Sequence, residues 1–226
     1  MLPARALISL ASFFALAVHA CDPLTATCPA DPALGESIRF DFSSASDRFE
    51  VTSAASAIAY DATKGMELSI NKRFDNPSLR SDFYIMFGRV QFELKAAPGT
   101  VFLQSDDLDE IDFEWFGGDA YEVSTNWFTK GNTATYDRGI MAQISNPQAD
   151  YHTYAYEWTS ESLSWIIDGV TVRTLYPDNP QGYPKTPMRV FAGIWAGGDP
   201  SNAIGTIEWA GDETDYSQVP FTMYWF

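Results

Sequence analysis

Apolar and polar residues alternate along most of this chain, and the period is two. Ile38, Phe40 and Phe42 alternate with polar neighbours, as do Met66, Leu68 and Ile70. Val90, Phe92 and Leu94 point one way while Arg89, Gln91, Glu93 and Lys95 point the other. That period is the signature of half-buried strands. Leu163–Ile167, then Asp168-Gly169, then Val170–Leu175 predicts a hairpin, because Asp-Gly suits a type I′ turn. Met188–Trp195 and Phe221–Phe226 complete the expected strands, and no window longer than ten residues carries helical periodicity free of Gly or Pro. Many short antiparallel strands joined by turns predict an all-β sandwich or jelly roll. At 226 residues, with no internal repeat or low-complexity tract, one such domain is expected.

One strand has an unusual polar face. In Asp109-Glu110-Ile111-Asp112-Phe113-Glu114-Trp115, alternation puts Glu110, Asp112 and Glu114 on one side and Ile111, Phe113 and Trp115 on the other, against the core. Three acids on one face repel one another, and a merely solvated strand would intersperse other residues. Retaining glycoside cleavage supplies a reason to tolerate this, since it needs a nucleophilic carboxylate and a protonated carboxylic acid about 5–5.5 Å apart. The Cα atoms of Glu110 and Glu114 are about 13 Å apart in an extended strand, and two side chains leaning together across Asp112 close most of that gap. Asp112 is then expected to bond one glutamate and, through its charge, to keep the other protonated. Two other uses of the pattern stay open at this point: a calcium site, which a flat strand wraps badly, and an acidic face for a basic partner.

Composition narrows the classes. The net charge of −16, from 14 basic and 30 acidic residues, disfavours nucleic acid and anionic membrane surfaces as partners. Aromatic residues make up 15% of the chain. That excess fits either a cleft that stacks sugar rings or a sandwich core rich in large side chains. Residues 1–20 read as a secretory signal, with Arg5, the apolar stretch Ala6–Val18 and a Val18-His19-Ala20 cleavage site. The mature chain, 21–226, carries no segment apolar enough to insert in a membrane. Cys21 and Cys28 then lie in an oxidising compartment, and a disulfide between them is expected to pin the N-terminus. Free thiols or a metal pair are poorly supported, because there is no third cysteine and there are only two histidines. No metal or other cofactor is expected. The chain ends at Met223-Tyr-Trp-Phe226 with neither a Ser/Thr-rich stalk nor a hydrophobic tail, so a GPI anchor is expected only if a tail lies beyond it.

The pentad Glu110-Ile-Asp-Phe-Glu114, flanked by Asp109 and Trp115-Phe-Gly-Gly118, resembles the catalytic motif of glycoside hydrolase family 16, and most closely that of the fungal Crh-type cell-wall transglycosylases. Further similar stretches are Cys21–Leu24 with Cys28–Gly35, Leu103–Asp107, Thr125–Gly131, His152–Tyr154, Ile167–Gly169, Trp195–Asp199 and Gly205–Trp209. The resemblance implies a concanavalin-like jelly roll whose concave sheet carries the cleft. It implies cleavage of chitin, or a chitin-like β-1,4 polymer, as donor and transfer to β-glucan or chitin as acceptor, by a secreted monomer of the cell wall. Carried over by position, Glu110 would be the nucleophile, Glu114 the general acid/base and Asp112 the auxiliary acid. Trp195 and Thr206 fall where the family contacts sugar, with Phe191 and Asn126 as weaker candidates. Trp127, Phe128, Trp195 and Trp209 are the aromatics available for acceptor subsites. His152 is read as a structural hydrogen-bonding residue.

The pattern departs from the family between Gly99-Thr100 and Leu103, where the family has a longer strand and only Val101 and Phe102 remain here. Losing those residues is expected to shorten the strand or shift its register, exchanging its faces. Two alternatives follow: an endo-β-glucanase of the same family, or a sugar-binding module that kept the fold and lost turnover.

Overall fold

The expected alternation closes into two antiparallel seven-stranded sheets packed face to face, a β-jelly-roll sandwich. The computed structural model describes residues 21–226, so the expected signal segment 1–20 lies outside the described residues. In chain order the strands are β1 (Phe49–Ser53), β2 (Ile58–Asp61), β3 (Gly65–Ile70), β4 (Ser78–Ser81), β5 (Gly88–Lys95), β6 (Gly99–Ser105) and β7 (Glu110–Trp115). They continue as β8 (Glu122–Phe128), β9 (Ile140–Gln143), β10 (His152–Trp158), β11 (Leu163–Ile167), β12 (Val170–Leu175), β13 (Met188–Ile194) and β14 (Phe221–Trp225). The front sheet runs β1-β4-β13-β6-β7-β8-β9 and the back sheet β12-β11-β10-β5-β14-β3-β2.

The core lies between the sheets. Met66, Leu68 and Ile70 of β3 are fully buried, as are Leu94 of β5, Leu103 of β6, and Ile111 and Phe113 of β7. Each such side chain contributes roughly 1.5–3 kcal/mol relative to exposure, which fixes which face of each strand turns inward. Aromatic donors cross the core to carbonyls of the opposite sheet. Trp165 Nε1 donates to the Asp112 carbonyl at 2.9 Å and Tyr156 Oη to the Val101 carbonyl at 2.8 Å. Trp115 Nε1 reaches the Tyr154 hydroxyl at 3.2 Å. Much of the aromatic excess is therefore spent in the core.

The β11–β12 hairpin forms as expected. Asp168 and Gly169 have φ of 48° and 80°, the left-handed pair that a type I′ turn needs, and Ile167 pairs with Val170. The expected strand over Ile38–Phe42 does not form. Phe42 takes φ of 48°, and the segment instead lays its rings on the core, with Phe40 5.1 Å from Phe49 and Phe42 5.2 Å from Trp225. A short helix, α1 (Ile204–Trp209), appears where the sequence carried no long periodic window.

The expectation of a damaged strand before the carboxylates is corrected. Strand β6 pairs over all seven residues with β13, from Gly99↔Ile194 to Ser105↔Met188. It pairs with β7 from Gly99↔Trp115 to Gln104↔Glu110 without a register break. At the start of β6 the backbones approach closely, and a Cβ at Gly99 would stand 2.7 Å from the Gly193 carbonyl oxygen. Val101 and Leu103 face the core, so the strand's faces are not exchanged.

Candidate active site

Strand β7 sits inside the front sheet, between β6 and β8, and its start is anchored by Asp109. That buried carboxylate accepts from the backbone N–H groups of Lys130 (2.9 Å), Lys185 (2.8 Å) and Thr186 (3.1 Å), and from the Thr186 hydroxyl at 2.7 Å. Three chain segments thus converge on the residue before Glu110, and the next position inherits a fixed starting point.

Antiparallel register then lays out the outer face of the sheet in rows. Arg189, Gln104, Glu110 and Phe128 form one. Glu50, Arg80, Phe191, Phe102, Asp112 and Asn126 form the next. Ser78 and Gly193, and beyond β6 Glu114, Ser124 and Met141, form the third. The three acids therefore share one face of the sheet, as alternation predicted.

Their environments differ. Glu110 is half-buried, and its Oε2 accepts from the Gln104 side-chain amide at 2.6 Å. Asp112 is 1% exposed, and neither of its carboxyl oxygens has a partner among the described residues. Burial foremost, then the charges of Glu110 and Glu114, push its pKa well above the usual carboxylate range. A proton held there can be donated to Glu110, a bond that further favours the neutral form. Glu114 is pushed up to about 7, first by burial and then by the charge of Glu110, against a weak contact from the Ser124 hydroxyl at 3.5 Å. The expected role of Asp112 is corrected accordingly. The charge that raises Glu114 is that of Glu110, and Asp112 is itself pushed toward its neutral form by burial and by the two glutamates. The physical reason is depth: desolvation at the centre of a three-acid row outweighs mutual repulsion as the cause of neutrality.

The other expected site residues divide. Asn126 lies beside Asp112 in register, with its Oδ1 accepting from the Trp127 N–H at 2.9 Å. Phe191 shares the Asp112 row and stacks on Phe102, centroids 4.8 Å apart and planes at 6°. Trp195 follows β13 and stacks on Trp209 at 6.0 Å, while Trp209 meets the edge of Phe116 at 4.8 Å. These rings flank a cavity of about 300 Å³ together with Pro98, Gly117 and Gly198. A second cavity of about 460 Å³ lies between Trp209, Phe116, Tyr136 and Met141, with Ser124 in its wall. Thr206 is half-buried in α1 and lines neither cavity. Trp127 is a core residue, 3% exposed and covered by the Arg173 guanidinium 4.6 Å from its ring, so it is not available to a sugar. Phe128, one register step from Glu110, stays half-buried and meets Tyr136 at 6.4 Å.

His152 is structural, as expected: its Nδ1 lies 2.7 Å from the Asp168 carboxylate at the hairpin turn. Cys21 and Cys28 are joined in a disulfide. Among the described residues no group of three or more His, Cys, Asp or Glu side chains is placed to hold a metal ion. Sequence reasoning missed Phe102, Gln104 and Tyr136. The first two were legible as the outward residues between inward Val101 and Leu103, but only once β6 is known to neighbour β7.

The chain is similar to known proteins in family and in fold. The family model for glycosyl hydrolases family 16 matches residues 45–211. The Crh-like protein CRH11 of Candida albicans is 53% identical over 210 residues, covering 90% of this chain and 46% of that protein. Congo red hypersensitive protein 1 of Saccharomyces cerevisiae is 49% identical over 210 residues, covering 90% of this chain and 41% of that protein. The chain spans about half the length of these curated relatives. Among solved structures, a Crh5 transglycosylase in complex with NAG superposes with a TM-score of 0.86 at 46% identity, over 91% of this chain and 88% of that one. A Bacillus licheniformis β-glucanase, at 21% identity and a TM-score of 0.69 over 82% of this chain and 92% of that one, shares the fold.

Proposed function

The chain belongs to glycosyl hydrolases family 16, and from that premise we propose that it is a retaining transglycosylase that cleaves a chitin-like β-1,4 polymer and passes the new end to β-glucan or chitin. Glu110 is the nucleophile, Glu114 the general acid/base and Asp112 the auxiliary acid. In the first half-reaction a Glu110 oxygen bonds to the anomeric carbon as the glycosidic C–O bond breaks, and the Glu114 proton goes to the departing oxygen. In the second, Glu114 takes a proton from the acceptor hydroxyl, that oxygen bonds to the anomeric carbon, and the bond to Glu110 breaks.

The observation that carries this reading is the inequality of the three acids. On one face of β7, burial and the Glu110 charge raise Glu114 to about 7, while burial and the charges of Glu110 and Glu114 push Asp112 well above the usual carboxylate range. A group that titrates near neutrality can both give and take a proton in one catalytic cycle. The similarity to Crh-like proteins and to a transglycosylase structure supports transfer, and the half-buried rings of Phe102 and Phe191 beside Asp112 suit a sugar-binding floor. Asn126, Trp195 and Phe191 are the binding residues of this reading, and Thr206 can act only from α1 at the rim. Residues 1–20 are taken as the secretory signal and 21–226 as the catalytic domain, acting as a monomer in the cell wall.

The test is to incubate the mature domain with chitin and a fluorescent glucan oligosaccharide, beside Glu110→Gln and Glu114→Gln. Labelled polymer identifies a transferase, shortened chains without label a hydrolase, and retention without product a binding module. Product from Glu110→Gln at the wild-type rate overturns the assignment of the nucleophile.

A further inference from the structure

We propose that Gln104 is a positioning residue for the Glu110 carboxylate, holding one of its oxygens so that the other is presented to the anomeric carbon. The inference rests on the reading of Glu110 as nucleophile.

Glu110 opens its strand, is half-buried and has a long side chain with free torsions to lose. Attack needs the reacting oxygen within about 3–3.5 Å of carbon and aligned with the bond that breaks. Gln104 meets that need from the neighbouring strand. It stands opposite Glu110 in register, and its amide Nε2 lies 2.6 Å from Glu110 Oε2, a short contact of the charge-assisted kind. Its backbone cannot drift, because β6 is paired on both sides, to β13 and to β7. From along its own strand Glu110 faces Asp112, whose carboxyl is pushed well above the usual carboxylate range by burial and by the charges of the two glutamates, so the grip on the Glu110 carboxylate is that of Gln104.

The choice of an amide has chemical content. A cation at this position would hold Glu110 as an ion pair and blunt its nucleophilicity, whereas a carboxylate would repel it. A neutral N–H donor orients without doing either. It also serves the second half-reaction. When Oε1 is bonded to the sugar, Oε2 is the carbonyl oxygen of the ester and still accepts from Gln104. As the acceptor oxygen bonds to the anomeric carbon, the Oε1–carbon bond breaks and its electron pair returns to the carboxylate, where the same donor receives the charge.

The charged and titratable groups placed near Glu110 include Asp112 and Glu114 on β7, Tyr156 on β10, which feels the charges of all three acids, Arg189 on β13 beyond Gln104, and Arg138, whose guanidinium lies 5.0 Å from the Phe128 ring of β8.

Two variants test the proposal, with chitin oligosaccharide as donor and fluorescent glucan as acceptor. Gln104→Leu removes the donor at similar volume and is expected to lower kcat about 10- to 100-fold with little change in KM, the scale of one hydrogen bond to a charged group. Gln104→Glu supplies a donor only while the introduced carboxyl is protonated. Two facing carboxyls cannot both ionise cheaply, so this variant should keep activity in acid and lose it as pH rises. Its basic limb should fall about one pH unit or more below the wild-type limb, which Glu114 sets near 7. A Leu variant with wild-type kcat, or a Glu variant with the wild-type pH profile, overturns the proposal. If thermal melting shows that the Leu variant does not fold, the pH profile of the near-isosteric Glu variant decides. Glu110→Gln run in parallel separates the two claims. Activity surviving there sinks the nucleophile assignment itself, whereas an inactive Glu110→Gln beside unaffected Gln104 variants sinks only this inference.

Discussion

Strands β5 and β7 obey the same binary pattern and do opposite things with it. On β5 the outward residues are Arg89, Gln91, Glu93 and Lys95, of both signs, and both cations find a partner. Arg89 meets Gln91 at 2.9 Å and Glu157 at 3.5 Å, and Lys95 lies 4.4 Å from the Tyr224 ring centroid. On β7 the outward residues are three acids with no cation between them along the strand, the middle one 1% exposed and without a partner among the described residues. Surface pairs of the first kind are worth little, about 0–1 kcal/mol, and cost as little to lose. The second kind is maintained against repulsion and desolvation, and that expense marks where chemistry is done.

The comparison breaks most sharply at Glu110. Glu110→Gln should lower transfer activity on the order of 10⁴-fold or more while leaving the fold intact, read as labelled polymer formed and as a thermal melt. Loss of the fold instead would mean that the carboxylate row is a structural device. Asp112 comes next. Because it already holds a proton, Asp112→Asn should be tolerated structurally and retain more activity than Asp112→Ala, which leaves a void beside Glu110; the gap should be about tenfold or more in kcat. Equal losses in the two variants would mean that Asp112 works as a charge.

The pH dependence of stability is a third and smaller effect. Glu114 is raised in the folded protein from its ordinary 4.5 to about 7. Between those values the folded state binds a proton that the unfolded state has lost, so stability falls as pH rises through that window. The protein should therefore be more stable at pH 5 than at pH 7.5, by on the order of 2 kcal/mol for this group, and melt at a correspondingly higher temperature. Glu114→Gln should flatten the profile, and a wild-type melt that does not change across the window would refute the raised value. The smallest effect belongs to β5: Glu157→Gln should change stability by less than about 0.5 kcal/mol in a denaturant titration, and activity not at all.

What could be read from the chain followed from local rules. Alternation alone oriented Met66, Leu68 and Ile70, separated the acids of β7 from Ile111, Phe113 and Trp115, and placed the turn at Asp168-Gly169. The failures were non-local. Nothing near Trp127 says that Arg173 will cover its ring from another strand, so a core residue looked available to sugar. Phe102 and Gln104 stand beside the three acids only because β6 lies beside β7. Ile38–Phe42 alternates like a strand yet finds no partner to pair with. The proton on Asp112 depends on depth within a sheet, a quantity that spacing along one strand does not contain.

The hydrogen bonds that cross the core carry a last implication. Trp165 and Tyr156 of the back sheet each end on a main-chain carbonyl of the front sheet, one of them at Asp112 itself. Such struts set a gauge between the layers, as spacers do in a sprung plate. Loops around the rim are then free to diverge, while the part of the front sheet that carries the three carboxylates is held from behind.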